Sequence, residues 1–279
     1  LTFASAGASE YRAINDFRAV ANEVQRSEER VGPEHVLVAL DIDNTLLAMD
    51  EPLGSEQWFD WQVYLLNKDP TSPQLVASTF EGLLEVQGRL YELGRMHPPQ
   101  SDLPSIIKDI QSRRVATIVL TARGNEFRAS TERELSRNGY RFSTSELAVR
   151  NASGINILPT EISMPAEPRF INQQLSTSKS NSPRQVSYAH GIMMVAGQNK
   201  GKVLLALLRQ SEHDIKAVVF IDNRAETVAG VYSELVQQGI DITALQYQRE
   251  DHQIQAFQYG TKDEVVSRWA RLSQSPTSA

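Results

Sequence analysis

Cysteine is absent from the 279 residues, and with it go disulfides, thiolate metal sites and cysteine nucleophiles. Positive charge is in deficit: 28 Lys and Arg stand against 34 Asp and Glu, a formal net charge of −6. Such a surface has no general attraction for a phosphate backbone or an anionic lipid face, so nucleic acid is not expected as a partner. No apolar run approaches the roughly 20 residues that span a bilayer as a helix. The signatures HExxH, GxxxxGK[ST] and GxSxG do not occur, which withdraws support from zinc proteases, P-loop enzymes and nucleophile-elbow hydrolases.

What is present is an ordinary globular composition, 41% hydrophobic and 22% charged, with chain enough for one large domain or two modest ones. Ala4-Ser5-Ala6 has the small-residue character of the end of an export signal, so a periplasmic or secreted location is slightly favoured over a cytoplasmic one. Asn151-Ala152-Ser153 matches a glycosylation sequon, a triplet too common by chance to carry weight.

Ile14, Phe17, Ala21 and Val24 repeat at helical spacing and predict a leading helix over residues 9–28, broken by Gly32-Pro33. Four short, nearly continuous apolar runs follow, at 35–40, 115–120, 217–221 and 242–247. Runs of this kind suit strands covered on both faces, as in a parallel sheet. The first three end at Asp41, Thr121 and Asp222, and ligands of open α/β sheets bind beyond the carboxyl ends of strands. Val203 to Leu208 reads as a buried helix, and Val228, Val231, Tyr232 and Leu235 as a second, stopped by Gly239. Thr261 and Glu264 resemble a capping box ahead of a last helix, with a frayed tail after Leu272. A crossover needs about 30 residues, yet about 80 separate Asp41 from Thr121 and about 80 more precede Lys200. The first excess, 53–100, is aromatic and helical in pattern. The second, 140–198, is polar and irregular, with a Ser-rich run at 176–182 and a strand-like end from Val186 to Val195.

Directly after the first apolar run stands Asp41-Ile42-Asp43-Asn44-Thr45. Two carboxylates two residues apart share a strand face, and they converge on one ligand only if the chain also turns, which Asn44-Thr45 permits. A calcium loop is excluded, because Thr45 and Leu46 stand where that loop needs Asp or Asn and then Gly.

Asp-x-Asp-x-Thr behind an apolar strand resembles the first motif of the haloacid dehalogenase superfamily of phosphohydrolases. Ile118-Val119-Leu120-Thr121-Ala122-Arg123 resembles its second, Asn199-Lys200-Gly201 its third and Val219-Phe220-Ile221-Asp222-Asn223 its fourth. The resemblance spans roughly 30–55, 114–138 and 198–248. Gly54-Ser55-Glu56-Gln57-Trp58-Phe59 is similar to a group of bacterial superfamily members without assigned function. The fold this implies is an α/β Rossmann-like core with a central parallel sheet, built from 1–52 and 101–279. A helical cap is inserted at 53–100 and an irregular insertion at about 140–198.

The implied activity is Mg2+-dependent hydrolysis of a phosphate monoester, on a small molecule or a phosphoprotein. Asp41 is then the nucleophile that forms an aspartyl-phosphate, and Asp43 the acid for the leaving oxygen and later the base for water. Mg2+ is implied on Asp41, the backbone carbonyl of Asp43 and Asp222, with waters, and an all-oxygen site suits that ion chemically. Thr121 is implied to bond a phosphoryl oxygen and Lys200 to supply fixed positive charge. The second Asp argues against a dehalogenase, whose halide leaves without an acid, and against a signalling receiver with a single acceptor Asp.

Several positions carry two readings. Thr121 is a phosphate ligand or only a cap. Lys200 competes with Lys202 and is preferred because Gly201 allows close backbone approach and because the resemblance implies a Lys just before the helix. Asn223 departs from the frequent Asp-Asp pair of the fourth motif and loses a charge. Glu226 either supplies the second carboxylate through water or is an exposed helix-start acid. Trp58, with Phe59 and Trp61, lines a lid or forms core, the latter favoured. Arg123 meets a substrate anion or makes a surface ion pair, and His190 reads as structural. Rival functions are a phosphotransferase with the same residues, and a binding or host-directed interaction protein that keeps the fold with little turnover.

Overall fold

A computed structural model describes residues 9–149 and 186–274. Ala4-Ser5-Ala6, the sequon at 151–153, the Ser-rich run at 176–182 and the tail from 275 lie outside the described residues.

The chain forms an α/β fold on a seven-stranded sheet. Its three central strands are the apolar runs: β2 (Val36–Leu40), β5 (Ala116–Thr121) and β8 (Ala217–Asp222), every residue of which is buried. β2 pairs in parallel with β5 on one side and β8 on the other, and β9 (Asp241–Tyr247) continues the sheet beyond β8. Alternation along the strands sends Val36, Val38, Leu40, Val219 and Ile221 to one face, and Leu37, Ala39, Val218 and Phe220 to the other. The first face packs under α1 (Arg18–Val31) and α4 (Leu103–Ser112) through Val20, Val24, Ile107 and Ile110. The second packs under α6 (Lys200–Gln210) and α7 (Ala225–Gln237) through Val203, Leu207, Val231 and Leu235. Truncating a fully buried side chain such as Phe220 to Ala costs about 3–5 kcal/mol in a layer of this kind.

The edges depart from the sequence pattern. The expected helix over 9–28 is instead β1 (Glu10–Ile14), parallel to β9, followed by α1 from Arg18. Ile14 and Phe17 keep helical spacing with Val20 and Val24 because the chain turns between strand and helix and sends all four to the same core. The segment read as an irregular insertion also belongs to the core at its described ends. Tyr140 and Phe142 are buried there. The other end is a hairpin of β6 (Ser187–Ala189) and β7 (Ile192–Met194), with β7 parallel to β5. His190 and Gly191, at φ +53° and +73°, make its two-residue turn.

Between β3 (Ala48–Met49) and β4 (Met96–His97), which pair antiparallel, lie α2 (Glu56–Lys68) and α3 (Phe80–Leu93). Gly54 precedes α2 at φ +86°, where a Cβ would stand 2.9 Å from Leu90 Cβ on α3. Trp58, 1% exposed, packs with Leu53, Leu90 and Val265, and Trp61, Phe257 and Trp269 surround them. These contacts join the inserted helices to α8 (Asp251–Tyr259) and α9 (Asp263–Gln274). Trp58 is therefore core, and the lid reading fails. Among the described residues no helix is long and apolar enough to cross a membrane.

Candidate functional site

After β2 the chain folds back on itself at once. The Ile42 carbonyl accepts from the amides of Thr45, Leu46 and Leu47, and Asn44 sits at φ +57°, which Asn tolerates better than most residues. Asp41 donates its amide to Ile221 O at 2.9 Å, extending the β2–β8 ladder by one residue. Asp41 and Asp222 thus stand at the ends of adjacent strands. The chain leaves β2 toward β5 on one side and returns through β8 on the other, so they lie at the point where strand order reverses.

Lys200 joins them. It is the first residue of α6, capped by the Asn199 side chain, and its Nζ donates to Asp41 Oδ1 at 2.5 Å and to Asp222 Oδ2 at 2.7 Å. All three are more than nine-tenths buried. Burial pushes the Asp41 carboxyl well above its ordinary value; Lys200 opposes this, while Asp222, Glu56 and Asp43 add to it. Lys200 is held protonated, the two carboxylates outweighing its loss of water. Of the two lysines it is Lys200 whose Nζ reaches both carboxylates, while Lys202 gives its backbone amide to Asn199 Oδ1. Gly201 allows a close approach, but to α7: a Cβ there would lie 2.9 Å from Glu234 Cβ and 3.2 Å from Val231 Cα.

Asp43 takes a different partner. Arg123 donates Nε to Asp43 Oδ2 at 2.9 Å and Nη2 to Oδ1 at 2.7 Å, a two-pronged pair. The guanidinium also donates to Thr131 Oγ1 at 3.0 Å and lies 4.0 Å from the centre of the Tyr91 ring on α3. Arg123 is 5% exposed, so the surface ion-pair reading is corrected: this is an interior cation shared by strand end, α5 (Arg128–Arg137) and insertion. Thr121 is fully buried and its Oγ1 accepts from the Arg123 amide at 3.3 Å, the capping role of its two readings, with the hydroxyl proton still free to point elsewhere.

A third group was missed in the sequence. Ser55 caps α2 through the Trp58 amide, which places Glu56 in the first helical turn. Glu56 Oε2 accepts from Asn44 Nδ2 at 2.8 Å and Asn223 Nδ2 at 2.7 Å, and Oε1 accepts from Arg224 Nε at 2.6 Å. Arg224 also donates to Asp60 Oδ2 at 2.5 Å. Burial raises the Glu56 and Asp60 carboxyls above their ordinary values against the pull of Arg224. Glu226, by contrast, is 75% exposed and 3.9 Å from Arg224, so it is a solvated helix-start acid and not a member of this cluster. His190 is exposed and 3.2 Å from Glu132.

The oxygens at these strand ends are the carboxylates of Asp41 and Asp222, the backbone carbonyl of Asp43 and, next to Asp222 in sequence, Asn223 Oδ1, which is buried and accepts no hydrogen bond. Among the described residues no group of three or more His, Asp or Glu forms a ready metal cage. A cation held by so few protein oxygens would have to complete its shell with water, a coordination that Mg2+ accepts.

Residues 13–275 match the model of a family described as "Protein of unknown function (DUF2608)". A Chlamydia pneumoniae protein described as "Putative outer membrane protein" is 23% identical over 249 residues, covering 89% of this chain and 80% of that protein. No solved structure matches the chain significantly.

Proposed function

Because the chain belongs to this family of unknown function, its chemistry rests on its own residues, and we propose that it is a Mg2+-dependent phosphatase of the haloacid dehalogenase type. The observation that carries the reading is Lys200 bridging Asp41 and Asp222 at adjacent parallel strand ends. The four-motif resemblance supports it, and so do the oxygen donors Asp41, Asp222 and Asn223 Oδ1.

Asp41 attacks the phosphorus as the ester P–O bond breaks, giving an aspartyl-phosphate and a leaving alkoxide. Asp43 gives that oxygen a proton, then takes one from the water that releases inorganic phosphate and restores Asp41. Both Asp43 oxygens accept from Arg123 in the docked arrangement, so one of those bonds opens before Asp43 carries a proton. Lys200 holds positive charge beside the reacting carboxylate, and Thr121 offers a hydroxyl proton to a phosphoryl oxygen. Mg2+, when bound, neutralises the anions so that a carboxylate can approach a dianionic ester.

The test is hydrolysis of a panel of phosphate esters with Mg2+, beside EDTA-treated protein and Asp41→Asn. Loss of turnover in both is expected. Asp41→Asn activity within about tenfold of wild type, roughly 1.4 kcal/mol of barrier, refutes covalent catalysis at Asp41. A second reading, an interaction protein with little turnover, draws on the near-complete burial of Asp41, Lys200 and Asp222 and on the description of the chlamydial relative. It is favoured if no ester in the panel is hydrolysed. That same description supports a location outside the cytoplasm.

A further inference from the structure

Where α2 meets the strand ends, carboxylates outnumber cations. Asp41, Asp222, Glu56 and Asp60 share Lys200 and Arg224, while Asp43 and Arg123 neutralise each other. With all four carboxyls ionised the cluster carries two negative charges in excess, a balance that a divalent counter-ion restores and that protonation restores without one. An independent feature marks where it would bind. Asn223 is 7% exposed, and its Nδ2 donates to Glu56 Oε2 at 2.7 Å while its Oδ1 accepts nothing. The reverse orientation would set the amide oxygen against a carboxylate oxygen, so Glu56 decides which way the amide faces. Glu56 is itself fixed from two other sides, by Asn44 at 2.8 Å and Arg224 at 2.6 Å.

We propose that Glu56, brought in by the first turn of α2, is the positioning residue for cation binding. It turns Asn223 Oδ1 toward the ion as a ligand, and its charge replaces the carboxylate that position 223 lacks. The proposal rests on reading the Asp41–Asp222 cluster as a Mg2+ site. It makes cation affinity depend on the inserted helices being docked, since Glu56 belongs to the insertion and Asn223 to the sheet.

The experiment is calorimetric titration of metal-free protein with MgCl2, with thermal melting to verify folding. Groups that orient a metal ligand typically carry about 10–100-fold in affinity, and a loss of that size is expected for Glu56→Gln and, independently, for Asn223→Ala. The paired exchange Glu56→Gln with Asn223→Asp lets the new amide donate to the new carboxylate and should recover most of the loss. Glu226→Gln should leave affinity unchanged. The proposal is overturned if Asn223→Ala, or folded Glu56→Gln, binds Mg2+ as tightly as wild type. It is equally overturned if the paired exchange recovers nothing, or if Glu226→Gln costs as much as Glu56→Gln. Wild-type protein that binds no Mg2+ overturns the metal-site reading itself, a result distinct from all of these.

Discussion

Lys200 pairs with two buried carboxylates at once, so its removal tests how the cluster is balanced. Lys200→Met leaves Asp41 and Asp222 facing each other without a cation. Removing one partner of a buried ion pair costs about 3–5 kcal/mol, and the melting temperature should fall accordingly. Mg2+ should then stabilise the variant more than it stabilises wild type, because the ion relieves a repulsion that Lys200 no longer screens. Equal Mg2+ shifts in the two proteins would place the ion elsewhere. Asp43→Asn tests proton transfer: esters with poor leaving groups should slow far more than an activated aryl ester, which leaves without a proton. Equal losses on both substrates count against Asp43 as the acid. The residues behind these tests were legible because each is a polar side chain ending an apolar run or opening a buried helix. Glu56, Asp60 and Arg224 were not, because nothing local marks an acid in the first turn of a surface-patterned helix as facing a strand end that follows it by 167 positions in the Asn223–Glu56 contact. The stretch Gly54 to Phe59 stood out only by resemblance, which gave Glu56 no role; the Ser55 cap that starts α2 is seen in the structure.

Among the elements, β4 and α5 are joined at Met96, whose carbonyl accepts from Arg137 and Asn138 and whose amide donates to a carboxylate. Glu134 on α5 accepts from the Met96 amide at 2.9 Å and from Arg137 Nη2 at 2.7 Å and Arg133 Nε at 3.2 Å. Burial pushes Glu134 up, but these bonds together outweigh it and leave the carboxyl below its ordinary 4.5. A depressed carboxyl stabilises the fold above its unfolded value, and that contribution is lost as pH falls through the folded one. Stability measured by urea denaturation should therefore fall with acid below about pH 4.5, and less steeply in Glu134→Gln than in wild type. Parallel acid dependence in the two proteins would remove Glu134 from the account. The elements themselves were read best where burial is two-sided: β2, β5 and β8 are nearly continuous apolar runs and needed no partner to be recognised. β1 was missed for the opposite reason. Glu10, Tyr11 and Ala13 are exposed on a sheet edge, so neither alternation nor an apolar run announces a strand.

The molecule as a whole is an α/β layer structure whose inserted helices are held through α3, where the Tyr91 ring packs on Arg123 and the Tyr91 carbonyl accepts from Arg133, and through α2 at two places of different chemistry. One is apolar, the cluster of Trp58, Leu90 and Val265 against α9; the other is ionic, Arg224 between Glu56 and Asp60 beside the strand ends. The surplus of chain between Asp41 and Thr121 marked a helical segment and the resemblance implied a cap, but the residues that dock it were not legible, since docking depends on contacts between residues far apart in order. The two attachments can be separated. Arg224→Met leaves two acids on α2 without their cation while the aromatic cluster remains, so the amino-terminal turn of α2 should lift and its far end stay packed. Side chains here keep some contact with water, which sets the cost toward the lower end of roughly 3–5 kcal/mol. Hydrogen exchange followed by mass spectrometry should show faster exchange in peptides covering residues 50–62, with β2, β5 and β8 still protected. Uniform acceleration across the chain would mean that Arg224 supports the whole fold. No change at α2 would mean that the remaining contacts, the apolar cluster and Tyr91 among them, hold the insertion down without Arg224.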